Sequence, residues 1–148
     1  MTELQYDYGM RKFTVIFAMI LAACSGKPGP KDVVFNFIEA VMVSDSLGVV
    51  NNLDVDAYLK SRMTEMSPED SAKALAENRE KTIQSLLGEG PIRLRWMDQQ
   101  IVVNESIQTD STAEVEVSFI DRTTRHQLYT KMQLRKVPDA SWKIVYFR

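Results

Sequence analysis

Asp110–Phe119 reads DSTAEVEVSF, and from Ala113 onward it alternates: Ala113, Val115, Val117 and Phe119 are apolar, with Glu114, Glu116 and Ser118 between them. Successive side chains of a strand point to opposite faces, so a period of two implies one dry face and one wet face. The stretch therefore predicts a half-buried strand of an antiparallel sheet. Turn chemistry brackets it, with TDST (Thr109–Thr112) before and DRTTR (Asp121–Arg125) and PDAS (Pro138–Ser141) after. Leu128, Met132 and Leu134 form the return strand, and Trp142, Ile144 and Tyr146 close the sheet. Upstream, Ile101, Val103 and Ile107 continue the pattern. Ile92, Leu94 and Trp96, alternating with Arg93 and Arg95 behind Pro91, predict a further strand.

Before Pro91 the period is three-and-four. Val34, Phe37, Ile38, Val41 and Met42 share one stripe of a helix that opens at Pro30, since proline suits the first helical position. SDSLG (Ser44–Gly48) interrupts it. Val49, Val50 and Leu53 then suggest a short second helix before a loop with Asp54 as a helix cap and Asp56 as a loop charge. Ser67 and Pro68 start a long helix, with Ala72, Leu75, Ala76, Ile83, Leu86 and Leu87 on one face, and Gly88 ends it. Helices first and hairpins afterwards predict an α+β domain with an antiparallel sheet. With 148 residues, 45% hydrophobic and 26% charged, one globular domain is expected. A net charge of −2 without a dense basic face or a recognisable motif argues against a nucleic-acid partner.

The N-terminal stretch RKFTVIFAMILAACSG (Arg11–Gly26) has a different character. Its apolar run from Phe13 to Ala23 is too short to cross a hydrocarbon core of roughly 30 Å at about 1.5 Å per helical residue. Two basic residues, an apolar run and small residues in that order are the parts of an export signal. Leu21, Ala22, Ala23 and Cys24 resemble a bacterial lipobox, which implies cleavage between Ala23 and Cys24 and a diacylglycerol on the cysteine. Cys24 is also the sole cysteine, so an exported domain could close no internal disulfide. The expected organisation is a signal peptide over 1–23, with Met10 as an alternative start, a lipidated cysteine and Gly/Pro-rich tether over 24–30, and a domain over 31–148. Ser25 after the cysteine, where an aspartate would signal inner-membrane retention, places the expected anchor in the bacterial cell envelope and favours the outer membrane if the cell is Gram-negative.

DSTAEVEVSF, followed about twenty residues on by DASWKIVYF (Asp139–Phe147) and preceded by VVFNFIEAV (Val33–Val41), resembles NTF2-like lipoproteins of the DUF4878 type. The resemblance covers most of the mature chain. It implies an NTF2-like, cystatin-like cone, in which a curved antiparallel sheet wraps N-terminal helices and leaves one end open. Such a cone binds a small apolar ligand or is filled by its own aromatic side chains; Phe37, Tyr58, Trp96, Phe119 and Leu128 are the candidate cavity residues. Phe35, Tyr129, Trp142 and Tyr146 are further aromatic residues able to fill it. The expected role is a non-catalytic, membrane-anchored envelope lipoprotein whose partners are the membrane, an apolar ligand or an envelope protein. Ile107, Ile120, Val137, Val145 and Phe147 break the polar side of the alternation enough to keep open a structural module or a homodimer formed through the sheet.

Enzymes on that fold, such as ketosteroid isomerase and scytalone dehydratase, use a buried aspartate or histidine base with tyrosine or protonated-acid donors. An isomerase or hydrolase is therefore the competing reading, and Asp45, Tyr58, Asp121 and His126 are its candidates. No motif of those enzymes surrounds them. His126, the lone histidine, follows a turn, where an exposed structural role is common. No second histidine, cysteine pair or calcium loop supports a metal site, and no phosphate-cradling or dinucleotide motif implies a cofactor.

Overall fold

The computed structural model describes residues 26–62 and 68–148, with the side chains of the intervening helix described from residue 73 onward. The expected signal peptide over 1–23, Cys24, Ser25 and the expected Ser67 cap lie outside the described residues. Five helices precede four strands: α1 Pro30–Val43, α2 Ser46–Asn52, α3 Val55–Arg62, α4 Pro68–Leu86, α5 Pro91–Met97, β1 Gln99–Gln108, β2 Thr112–Asp121, β3 Gln127–Lys136 and β4 Trp142–Tyr146. The sheet is antiparallel in the order β1-β2-β3-β4, and α1 packs across β1, β2 and β4. The architecture is the expected α+β one.

Helix α1 starts where the Asp32 carboxylate accepts the Gly29 N–H at 2.9 Å and Pro30 occupies the first turn. Its buried stripe, Val33, Val34, Phe37, Ile38 and Val41, faces Ala113, Val115 and Val117 of β2, Met132 and Leu134 of β3 and Ile144 of β4 in one core. Each of the larger side chains contributes about 1.5–3 kcal/mol by leaving water. The helix ends at Ser44 in the left-handed region (φ 61), and the Ser44 hydroxyl accepts the Gly88 N–H at 2.8 Å, joining the ends of α1 and α4. Asp45 caps α2 by accepting from the Leu47 N–H. Asp54 is a helix cap as expected, accepting the Ala57 N–H at 2.9 Å at the start of α3, but Asp56, expected in a loop, lies in the first turn of that helix and pairs with Arg79 of α4 at 2.6 Å. The Asp54 N–H also donates to the Ile144 carbonyl, and Lys143 donates to the carbonyls of Val50 and Asn51, so the α2–α3 junction covers the free edge of β4. On α4, Leu75, Ile83, Leu86 and Leu87 turn inward, but Ala76 is exposed, so the apolar stripe is narrower than its sequence suggests.

Two expectations fail for identifiable reasons. Pro91–Met97 is a helix, not a strand. A seven-residue segment with apolar residues at 92, 94 and 96 fits either period, and Gly90 as N-cap with Pro91 in the first turn decides for the helix. Ile92 and Trp96 then stack one turn apart on the inner side, and Leu94 is left exposed.

Bulges produce the second failure. Between Val103 and Ser106 the β1 register slips, so Ile107 pairs with Glu114 on the outer face and is 75% exposed. Between β3 and β4 the pairing passes from Leu134–Ile144 to Gln133–Tyr146, which leaves Val145 unpaired and reverses the facing of everything after it. Tyr146 turns to the outer face, and Phe147, expected on the outside, is buried.

Candidate functional site

Behind that bulge, Phe147 becomes the hub of an aromatic cluster at the open end of the cone. Its ring stacks on Tyr58 of α3 (centroids 4.7 Å, interplanar angle 20°) and lies 5.6 Å from Phe37 and 6.1 Å from Trp96. Trp96 meets Phe37 edge-on at 6.0 Å and Phe119 at 5.4 Å. The Tyr58 pair is stacked, the Phe37–Trp96 pair T-shaped and the others tilted, all at centroid separations usual for aromatic pairs. The cluster fills the base of the cone and floors a cavity of about 390 Å³. Tyr58, Trp96, Phe119, Leu128, Met132 and Phe147 line its apolar part, and Arg62, Arg95, Gln99, Thr130 and Arg148 its polar part. Its volume is at the low end of the roughly 300–1,000 Å³ of small-molecule sites.

Of the residues proposed from sequence to line a cavity, the structure brings Tyr58, Trp96, Phe119 and Leu128 together at its wall, with Phe37 packed against the far side of Trp96 and Phe147. Leu128 pairs with Phe119 across β2–β3 and forms the lip, 66% exposed. Phe35 is exposed and Tyr146 faces outward, so neither fills the cone, and Tyr129, 63% exposed, borders the cavity at its rim. Trp142 is buried under Lys136, whose ammonium sits 5.5 Å from its ring.

The candidates for chemistry are scattered. Tyr58 alone faces the cavity, and its hydroxyl accepts a hydrogen bond from Arg62 Nη1 at 2.6 Å. Asp45 is exposed at the start of α2, on the far end of α1, and His126 is exposed in the β2–β3 turn. Asp121 ends β2 opposite Gln99, one pleat beyond Phe119, but its carboxylate turns back into the turn and accepts the N–H groups of Thr124 at 2.6 Å and Thr123 at 2.9 Å. Those bonds, Thr124 foremost, hold its carboxyl below the usual aspartate value of 3.8. The turn is consequently stabilised above pH 3.8, and the stabilisation is lost as pH falls further and the group protonates. NMR titration of the side-chain carboxyl should give a midpoint below 3.8, with amide protection at Thr123 and Thr124 falling in the same interval. A midpoint at or above 3.8 would contradict the turn geometry. No side-chain carboxylate or imidazole lines the cavity among the described residues, and no group of three or more metal-ligating side chains forms among them.

Sequence reasoning missed Arg62, Arg95, Arg148 and Phe147. A signal for Arg95 existed: in a helix that opens at Pro91, Ile92, Arg95 and Trp96 fall on one face at i, i+3 and i+4. Tyr58 and Arg62 have the same i, i+4 relation on α3, with the guanidinium carbon 5.5 Å from the ring centroid. Nothing local signalled Phe147, because its facing depends on a bulge.

No family model and no curated protein matches the chain. Among solved structures it is similar to a candidate NTF2-like transpeptidase from Campylobacter jejuni, at 13% identity and a TM-score of 0.50, over 82% of this chain and all of that one. The fold is NTF2-like. Two more distant likenesses are a ketosteroid isomerase-like protein from Erwinia carotovora (17% identity, TM-score 0.42, 78% and 87% of the two chains) and a candidate ketosteroid isomerase from Shewanella frigidimarina (16%, 0.45, 78% and 89%). At 13% identity the likeness to the Campylobacter jejuni structure carries the fold alone, without its chemistry.

Proposed function

We propose that the chain is a membrane-tethered, non-catalytic NTF2-like lipoprotein of the DUF4878 type whose cone binds a small, largely apolar molecule. The observation that carries this reading is the cavity itself, which has an aromatic floor and, among its described lining residues, no side-chain carboxylate or imidazole. A general base has to stand within about 2.6–3.2 Å of the proton it removes, or reach it through one water. Two phenols stand in the described wall: the Tyr58 hydroxyl is engaged by Arg62, and Tyr129 is 63% exposed to solvent. An apolar molecule on Trp96, Phe119 and Phe147 would exclude water from rings that are already preorganised by their mutual packing.

The envelope location rests on the sequence: the lipobox ending at Cys24, the charged and apolar segment before it, and the Gly/Pro-rich tether after it. Two or more acyl chains, at about 0.8 kcal/mol per buried methylene, hold such a body at a bilayer in effect permanently. Among the described residues no helix is long and apolar enough to cross a membrane, so attachment in this reading falls to the lipid.

The test uses residues 24–148 with Cys24→Ser, titrated with Nile red, a neutral dye that brightens in apolar surroundings. Saturable binding to one site is expected, weakened at least tenfold by Leu128→Asp, which places a charge on the exposed lip without disturbing the core. Equal binding by that variant removes the cone as the site. Intact mass of the full protein from native membranes should show a chain beginning at Cys24 with diacylglycerol on it; an uncleaved leader removes the location.

A further inference from the structure

The cavity is amphipathic rather than uniformly apolar, and its polar part has one sign. Arg62 comes from the last turn of α3, Arg95 from the last turn of α5 and Arg148 from the segment after β4, three parts of the chain converging on one mouth. The adjoining groove between α3 and α4 shares Tyr58, Arg62 and Ile92 with the cavity and adds Lys81, again without a carboxylate among its described lining residues. Of the described arginines elsewhere in the fold, Arg122 and Arg125 in the β2–β3 turn take part in no ion pair, and the other three have partners. Arg79 pairs with Asp56 and Arg135 with Asp54, and Arg93 donates to the carbonyls of Val41, Met42 and Gly88. Among the described residues Arg95 and Arg148 take part in no ion pair, and the guanidinium of Arg62 is held toward the mouth by the Tyr58 hydroxyl. Asp121, at the end of β2, is committed to Thr123 and Thr124, and Arg148 also borders a groove lined by Glu114 and Glu116.

We propose, on the basis of the binding function above, that the ligand is a single-chain amphiphilic anion: a carboxylate or phosphate head on an apolar body. The body lies on Trp96, Phe119, Phe147 and Leu128, and the head meets Arg62, Arg95 and Arg148. Guanidinium groups suit this head because they offer paired N–H donors that match two oxygens of one anion. Like charges brought to one mouth repel each other, and an anion between them turns that repulsion into attraction. A cavity of about 390 Å³ takes one short chain and not a two-chain lipid.

Three probes of equal length, decanoate, decanol and decyltrimethylammonium, are titrated below their aggregation limits into residues 24–148 with Cys24→Ser by displacement of Nile red. Decanoate is expected to bind at least tenfold more tightly than decanol, and decyltrimethylammonium weakest. The decanoate preference should fall to under threefold in the Arg95→Gln, Arg148→Gln double variant and persist in Arg122→Gln, a control in the β2–β3 turn outside the cavity. Decanol binding as tightly as decanoate overturns the anion assignment while leaving the apolar cone intact. Failure of Nile red and all three probes to bind removes the cone reading itself. An equal loss in Arg122→Gln shows a general charge effect and overturns the role of the mouth, as does binding of vesicles containing anionic phospholipid without binding of decanoate.

Discussion

Phe147→Ala is expected to destabilise the domain by about 3–5 kcal/mol, while Tyr146→Ala, one residue earlier, costs about 1 kcal/mol or less. The two aromatic rings are neighbours in sequence and opposites in space. Phe147 is 5% exposed and touches Phe37, Tyr58 and Trp96; Tyr146 is half-buried opposite Gln133 on the outer face. Removing the hub leaves a void between three rings held by different elements, α1, α3 and α5, which cannot all close on it without unpacking elsewhere. Since a domain of this size has about 5–15 kcal/mol of stability in all, the loss should lower the melting temperature by about 10–20 °C. Urea denaturation read by tryptophan fluorescence checks this, because Trp96 reports on the same cluster. Equal midpoints for the two variants would falsify the bulge at Val145 and with it the inward facing of Phe147.

The second large effect is expected at Gly90, where alanine would be nearly as damaging as the loss of Phe147. Gly90 has an ordinary backbone conformation, φ −62, so the reason is contact and not strain. A Cβ placed there would lie 2.2 Å from the Gln84 carbonyl oxygen and 2.5 Å from the Ser85 backbone. Atoms of a helix backbone cannot swing aside as a side-chain end does, so the Leu87–Pro91 turn has to open, and overpacking of this kind costs about 1–3 kcal/mol or more. Because α5 begins at the next residue, the shift moves Arg95 and Trp96 away from the mouth. Gly90→Ala should therefore lower stability by about 2–4 kcal/mol and reduce Nile red binding in the fraction that remains folded. Gly88→Ala is the comparison: its added Cβ meets nothing within 4 Å, and the positive φ of 53 adds about 1 kcal/mol of strain. Similar losses at both positions would show that the tight turn does not set the position of α5.

The α1 stripe, the α4 start at Pro68, the β2 alternation and the three turns after β1 were legible because each is a local pattern whose period or turn residues can be counted. The cavity was partly legible for the same reason. Phe37, Trp96 and Phe119 are large apolar residues with nowhere else to go in a cone, whereas the helix that buries Tyr58 beside Leu59 was not read from the sequence. The basic mouth was not legible. Arg62, Arg95 and Arg148 are separated by more than thirty residues at each step, and alone each looks like an ordinary solvated surface residue.

By itself the sequence determined an α+β chain with helices before hairpins, the first core helix and the dry face of the central strand, because hydrophobic periodicity is a property of consecutive residues. Tertiary structure decided whether Pro91–Met97 was helix or strand, on which face of the sheet Ile107, Tyr146 and Phe147 fall, and which distant arginines share one opening. A single extra residue in one strand reverses the facing of all that follow it, and no local pattern records it. That reversal sets Phe147 against Tyr58 and gives the cone its floor.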